Sequence, residues 1–301
     1  MANNQMTTQK AKFSMAINTP TYRNLIAQTL GDKKKTERYT AAIMSAVATN
    51  PQLQTCEAAT ILSGSLLAES LNLAHSPQLG QYYLVPFKVK EKKVKDAQGN
   101  WKTIAEHYDA AFILGYKGYI QLATRSGFYR HINAIEIKEG ELSYYNPFDD
   151  EIELTPIQDF DEREAAPTIG YYAMFEYLNG FKKVLYWSKQ KMIKHADRYS
   201  PAFSAAAYSK IQKGEISESD MWKYSSFWYK DFDEMARKTM LRQLIGKWGV
   251  MSPEMQQAYE ADNKIIMQNG DAIIPDETAD DIPEPVVAQE SESGTVNIDD
   301  L

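Results

Sequence analysis

Lys117, Gln121 and Arg125 recur every fourth residue inside the thirteen-residue stretch Gly115–Gly127, which glycine bounds at both ends. At 100° per residue the three share one face of a helix, while Tyr116, Tyr119, Ile120 and Ala123 share another. The first face is a ridge of two cations and an amide beside an aromatic edge. Spaced positive charge with hydrogen-bond donors matches a phosphate backbone. The ridge offers no nucleophile, general base or metal ligand, so its chemistry is to hold an anion rather than to cleave one.

A second basic segment lies near the C-terminal end. Arg237, Lys238, Arg242 and Lys247 place four cations within eleven residues. With Arg237 at 0° on a helical wheel, Leu241, Leu244, Ile245 and Trp248 fall in an apolar arc that includes it. An arginine there either snorkels to water from the helix end or reaches an anion in a groove. Just upstream, Trp222, Tyr224, Phe227, Trp228 and Tyr229 alternate with Lys223 and Lys230. Interleaved rings and cations suit a single nucleic-acid strand, although singly such aromatics are more often core.

Other chemistries have weaker support. Glu136-Ile-Lys138 on a predicted strand, with Asp109 upstream, has the residue types of a Mg²⁺-dependent nuclease. Glu-x-Lys also arises readily on an exposed strand face. His75, His107, His131 and His195 lack zinc spacing, and neither a P-loop nor a Gly-x-Ser-x-Gly elbow occurs. No cofactor is expected. A scaffold that binds only acidic proteins is a further alternative.

The elements that must position these residues read as helices, then strands interrupted by one helix, then helices. Helices are predicted over Pro20–Leu30, Lys35–Thr49 and Glu57–Leu71. A strand at Gln81–Lys90 leads into a lysine-rich hairpin tip ending at Asn100 and returns over His107–Leu114. Strands follow at Phe128–Lys138, Glu141–Tyr145, Thr168–Tyr177 and Phe181–Trp187, the last two joined by an Asn-Gly turn. Ser188 caps a helix to Tyr199, residues 200–220 read as a flexible insertion, and Asp231 with Glu234 is spaced as a capping box. This order implies an α+β fold with a mostly antiparallel sheet rather than βαβ winding.

The chain has 301 residues, 44% of them hydrophobic, enough for one good core and at most a small second one. Its lone cysteine, Cys56, excludes an intramolecular disulfide and fits a reducing compartment, as a small buried side chain. No apolar run reaches the ~18 residues of a membrane span. The net charge of −7 conceals an asymmetry: Ser252–Leu301 carries −12 and the rest +5. A modestly basic body thus bears an acidic tail, which aids solubility, competes with a polyanion or recruits a partner. The expected domains are a disordered N-terminus (1–18), one core (19–252) and an acidic disordered tail (253–301), dispensable from about Gln256.

Four segments carry a family resemblance: FILGYKGYIQLATRSGFYRHINAIEIKEGEL (Phe112–Leu142), FDEMARKTMLRQLIGKWG (Phe232–Gly249), GYYAMFEYLNGFKKVLYWSK (Gly170–Lys189) and TILSGSLLAESLNL (Thr60–Leu73). Together they resemble the RecT family of phage single-strand DNA annealing recombinases, over about Thr19–Ser252. The resemblance implies an antiparallel sheet packed with helices, akin to the Rad52 and Red-beta type of annealing core. It implies ATP-independent binding of single-stranded DNA, annealing of complementary strands to duplex, and assembly into rings or filaments. A phage exonuclease, the host single-strand binding protein and the bacterial cytoplasm are its implied partners and setting. It makes Lys117, Gln121, Arg125, Arg237, Lys238 and Arg242 candidates for the DNA groove, and Tyr116 and Tyr119 candidates for base contacts or groove packing.

Overall fold

The computed structural model describes residues 13–95 and 99–268, so the tip residues 96–98 and both chain ends lie outside the described residues. The described residues form two compact units. One comprises the chain up to Phe128 together with the segment from Val250 onward; the other is Tyr129–Gly249. The single core expected over 19–252 is therefore two.

In the first unit, helices Pro20–Leu30, Lys33–Thr49 and Ala58–Ser70 pack around Ile26, Tyr39, Ile43, Val47, Ile61 and Leu62. Gly31 closes the first helix in the left-handed region (φ 66°), and Asp32 caps the second by accepting from the Lys35 amide at 2.7 Å. Residues 13–17 are also helical, with Phe13 and Ile17 buried in this core, so order begins before the expected boundary at 19. Cys56 is buried, and burial pushes its thiol up to about 11, which keeps it inert. Strand β1 (Tyr82–Val89) pairs antiparallel with β4 (His107–Leu114), and β2 (Lys92–Lys95) with β3 (Trp101–Ile104) extends the hairpin.

The acidic tail does not begin at 253. Pro253–Gln268 is a helix, started by Ser252, whose hydroxyl accepts from the Met255 amide. Met255, Ala258 and Asp262 are buried at i, i+3 and i+7, against β4 and the Tyr116 helix. Asp262 accepts from the Leu114 amide (3.1 Å) and from the Tyr119 hydroxyl (3.2 Å). This buried stripe was hidden in an acidic composition.

In the second unit, β5 (Tyr129–Lys138), β8 (Thr168–Tyr177) and β9 (Lys182–Ser188) form one sheet in the order β5-β8-β9, and β6 (Leu142–Asn146) pairs with β7 (Glu151–Leu154). Among the described residues every ladder is antiparallel, so the α+β expectation holds, divided among four small sheets. The helix Phe232–Trp248 lies across β5, β8 and β9 and buries Ala236, Met240, Leu241, Leu244 and Ile245. Asp231 caps it through the Glu234 amide at 3.0 Å. Residues 200–220, expected to be a flexible insertion, carry a helix, Ala205–Gln212, capped by Ser204. Phe203 and Tyr208 anchor it in an aromatic cluster with Trp228, Tyr229 and Phe232. Long-range ring packing supplies what weak local periodicity lacks.

Candidate nucleic-acid interface

The helix Tyr116–Ser126 begins at Gly115 and ends at Gly127, which adopts a left-handed φ of 75°. Its first turn sits directly on the chain entering β1. A Cβ on Gly118 would collide with the Gln81 carbonyl oxygen, and one on Gly115 with that of Gly80. The Gly-Tyr-Lys-Gly spacing thus exists for backbone contact, and the Gly115 amide donates to Gln81 at 2.9 Å. This seating turns Tyr119, Leu122 and Ala123 inward and leaves Lys117, Gln121 and Arg125 exposed on one side.

Tyr119 is fully buried with its hydroxyl on Asp262, which closes it to a base and leaves packing as its role. Tyr116 is half-buried. Arg125 has protein partners: its Nη2 donates to the Leu71 carbonyl (2.8 Å) and its Nη1 to that of Asn72 (3.2 Å). It thereby ties its own helix to the C-terminal end of Ala58–Ser70, where a cation also complements the helix dipole. Lys117 and Gln121 form the outward part of the ridge.

In the second unit, Arg237, Lys238 and Arg242 are half-buried on the Phe232–Trp248 helix. Arg237 does reach an anion, but one that the protein supplies. Its Nη1 donates to Glu136 Oε2 at 2.8 Å, from the helix to β5. Burial pulls the Glu136 carboxyl upward, but its own backbone amide and Arg237 outweigh that and hold it below the usual carboxylate range. The pairing also occupies the residue on which the nuclease reading depends. Lys138 is buried with its amide on Glu141 (2.8 Å), and Asp109 lies 3.5 Å from His107 Nε2. Among the described residues no three His, Cys, Asp or Glu side chains are gathered to hold a metal.

One feature escaped the sequence reading because it joins two helices. His195, on the helix Lys189–Tyr199, packs at a tilt between the rings of Trp187 (5.1 Å) and Tyr199 (4.6 Å). Burial, then Arg242, Lys191, Arg198 and Lys247, push its imidazole down to about 4. Four cations from two helices therefore act on one half-buried ring. Lys191 and Arg198 had no distinguishing spacing, and the signal available was the cap at Ser188 that sets their helix.

An α+β protein whose helices present cations, and whose candidate catalytic carboxylate Glu136 is committed to Arg237, has the features of the nucleic-acid-binding class. A model of the RecT family matches residues 37–280, and the chain belongs to that family. RecT-family proteins are single-strand annealing proteins of DNA recombination rather than catalytic enzymes. The chain is similar to the uncharacterized protein YqaK of Bacillus subtilis (strain 168), 35% identical over 250 residues that cover 83% of this chain and 72% of that protein. It is also similar to protein RecT of Escherichia coli (strain K12), 26% identical over 249 residues that cover 82% and 79%. No helix among the described residues is long and apolar enough to cross a membrane.

Proposed function

We infer that this chain grips single-stranded DNA by its sugar–phosphate backbone and anneals complementary strands without ATP. The observation that carries the reading is the solvent-facing Lys117–Gln121 ridge on a glycine-seated helix in a RecT-family chain. Lys238 and Arg242 add a second set of phosphate contacts, while Arg125 and Arg237 hold the two basic helices in place. Base pairing supplies the free energy of annealing; the protein's task is to screen two backbones from each other. Several protomers in a ring or filament would repeat these contacts along a strand. The setting that fits is phage recombination in the bacterial cytoplasm, beside an exonuclease that exposes single strands and a host single-strand binding protein that covers them. Residues 269–301 contain ten acids and no base, and they compete with DNA for the basic faces.

Fluorescence anisotropy of a labelled oligonucleotide, titrated at several salt concentrations, tests this reading. Binding should weaken steeply with salt, and Lys117→Ala and Lys238→Ala should each flatten the log–log slope by about 0.7, one phosphate contact. Absent or salt-independent binding would overturn it.

A further inference from the structure

Within the Tyr129–Gly249 unit a cleft of about 110 Å³ opens beside the last turns of the Phe232–Trp248 helix. Tyr145, Trp187, Gln243, Lys247 and Trp248 are among its walls. Its size is comparable to the ~150 Å³ apolar cavity that holds a benzene ring, so a single pyrimidine ring fits its open mouth. Gln243 is the telling residue. It is only 8% exposed, it faces the cleft, and its carboxamide has no hydrogen-bond partner among the described residues. Its amide atoms are not shut off from the cleft's solvent, so something entering the cleft with a donor and an acceptor can take the place of water there. The edge of a nucleobase carries both.

The walls add the other elements of nucleotide recognition. Trp248 is 38% exposed and keeps ring surface for stacking. Lys183, clamped by both oxygens of Asp150 (2.8 and 2.9 Å), lies 4.5 Å over the Trp248 ring, and Lys247 lies 5.9 Å from it. Trp187 and Lys247 also join the cleft to the cation cluster: Lys191 sits 4.7 Å over Trp187, whose ring packs at a tilt against His195. An aromatic slot bordered by clustered cations suits a base attached to its phosphates better than an isolated apolar side chain.

We propose that this cleft receives one unpaired nucleobase of the bound strand, with Trp248 stacking on it, Gln243 bonding its edge, and Arg242 and Lys247 taking the adjoining phosphates. The proposal rests on the single-strand-binding reading above and assigns it a base-contacting subsite. A base held there is kept unpaired until a complementary strand competes for its edge.

The test uses the full chain, an oligothymidylate and an abasic strand of equal length, which present the same phosphates. The wild type should bind the thymidylate more tightly. Trp248→Leu and Gln243→Leu should each remove most of that preference, with roughly a tenfold loss, within the range of one base–aromatic stack. Phe160→Leu, at a 74% exposed ring elsewhere, should change nothing. Thermal unfolding checks each variant, and Lys247→Ala on the rim serves if a cleft variant does not fold. Equal binding of the two strands by the wild type would overturn the proposal and leave backbone binding intact. Loss of self-association by light scattering, with the thymidylate preference kept, would overturn it in favour of a side chain from a second copy. Failure of the wild type to bind either strand would sink both this proposal and the reading beneath it.

Discussion

Replacing Arg237 by methionine separates its structural role from a DNA contact. The Arg237–Glu136 pair is closed at 2.8 Å, with side chains 27% and 16% exposed. Two unit charges about 4 Å apart attract by roughly 4 kcal/mol at an effective dielectric of about 20. Desolvation and screening by the water at its edge remove much of that. Exposed pairs yield about 0.2–1 kcal/mol, and breaking a fully buried one costs about 3–5. This half-buried pair lies between, so Arg237→Met should destabilise the protein by about 2 kcal/mol, chiefly by leaving Glu136 charged without its partner. Adding Glu136→Leu should recover about half, because the orphaned carboxylate disappears. Urea unfolding of the two single variants and the double variant gives the coupling directly. The salt slope for oligonucleotide binding should stay unchanged in the double variant. A fully stable Arg237→Met whose slope drops by one phosphate contact would refute the argument and make Arg237 a DNA ligand.

Three further outcomes follow from packing and charge. Gly118→Ala should lower Tm by about 2–10 °C, because its methyl meets the Gln81 carbonyl and the backbone must shift; an unchanged Tm would mean that the helix does not sit there. Truncation after Gln268 should preserve the fold and strengthen DNA binding, since it removes ten acids and no packed helix. Truncation after Gln256 should instead destabilise by about 1–3 kcal/mol for each partner of Asp262 left buried and unsatisfied. Below about pH 6.5 the unfolded chain protonates His195 while the folded one resists until about pH 4, so stability is complete above that window and falls through it, by up to about 3 kcal/mol. His195→Gln should flatten that acid limb in denaturant titrations, and an unaltered limb would show that the ring is ordinary.

Local rules made much of this fold readable. Gly31, Gly115, Gly127 and Gly180 punctuate elements where a left-handed φ or a backbone contact requires glycine, and Ser188 and Asp231 cap helices as their positions suggest. The outward ridge of Lys117 and Gln121 followed from helical period alone. Contacts between distant residues were illegible. Arg237 finds Glu136 a hundred and one residues away, and Arg125 caps a helix more than fifty residues upstream. The cluster about His195 requires two helices to meet, and the Gln243 cleft requires a strand and a helix to leave a gap. Both are invisible to periodicity. The helix from Pro253 was legible in principle, since Met255, Ala258 and Asp262 share a face, but net acidity masked a three-residue stripe.

The most direct test of the annealing claim mixes two complementary oligonucleotides labelled as an energy-transfer pair, with no nucleoside triphosphate present. The full chain should speed the rise in transfer well beyond the protein-free rate, and a variant combining Lys117→Ala with Lys238→Ala should lose most of the gain. A chain that coats both strands yet pairs them no faster than buffer alone would contradict the account.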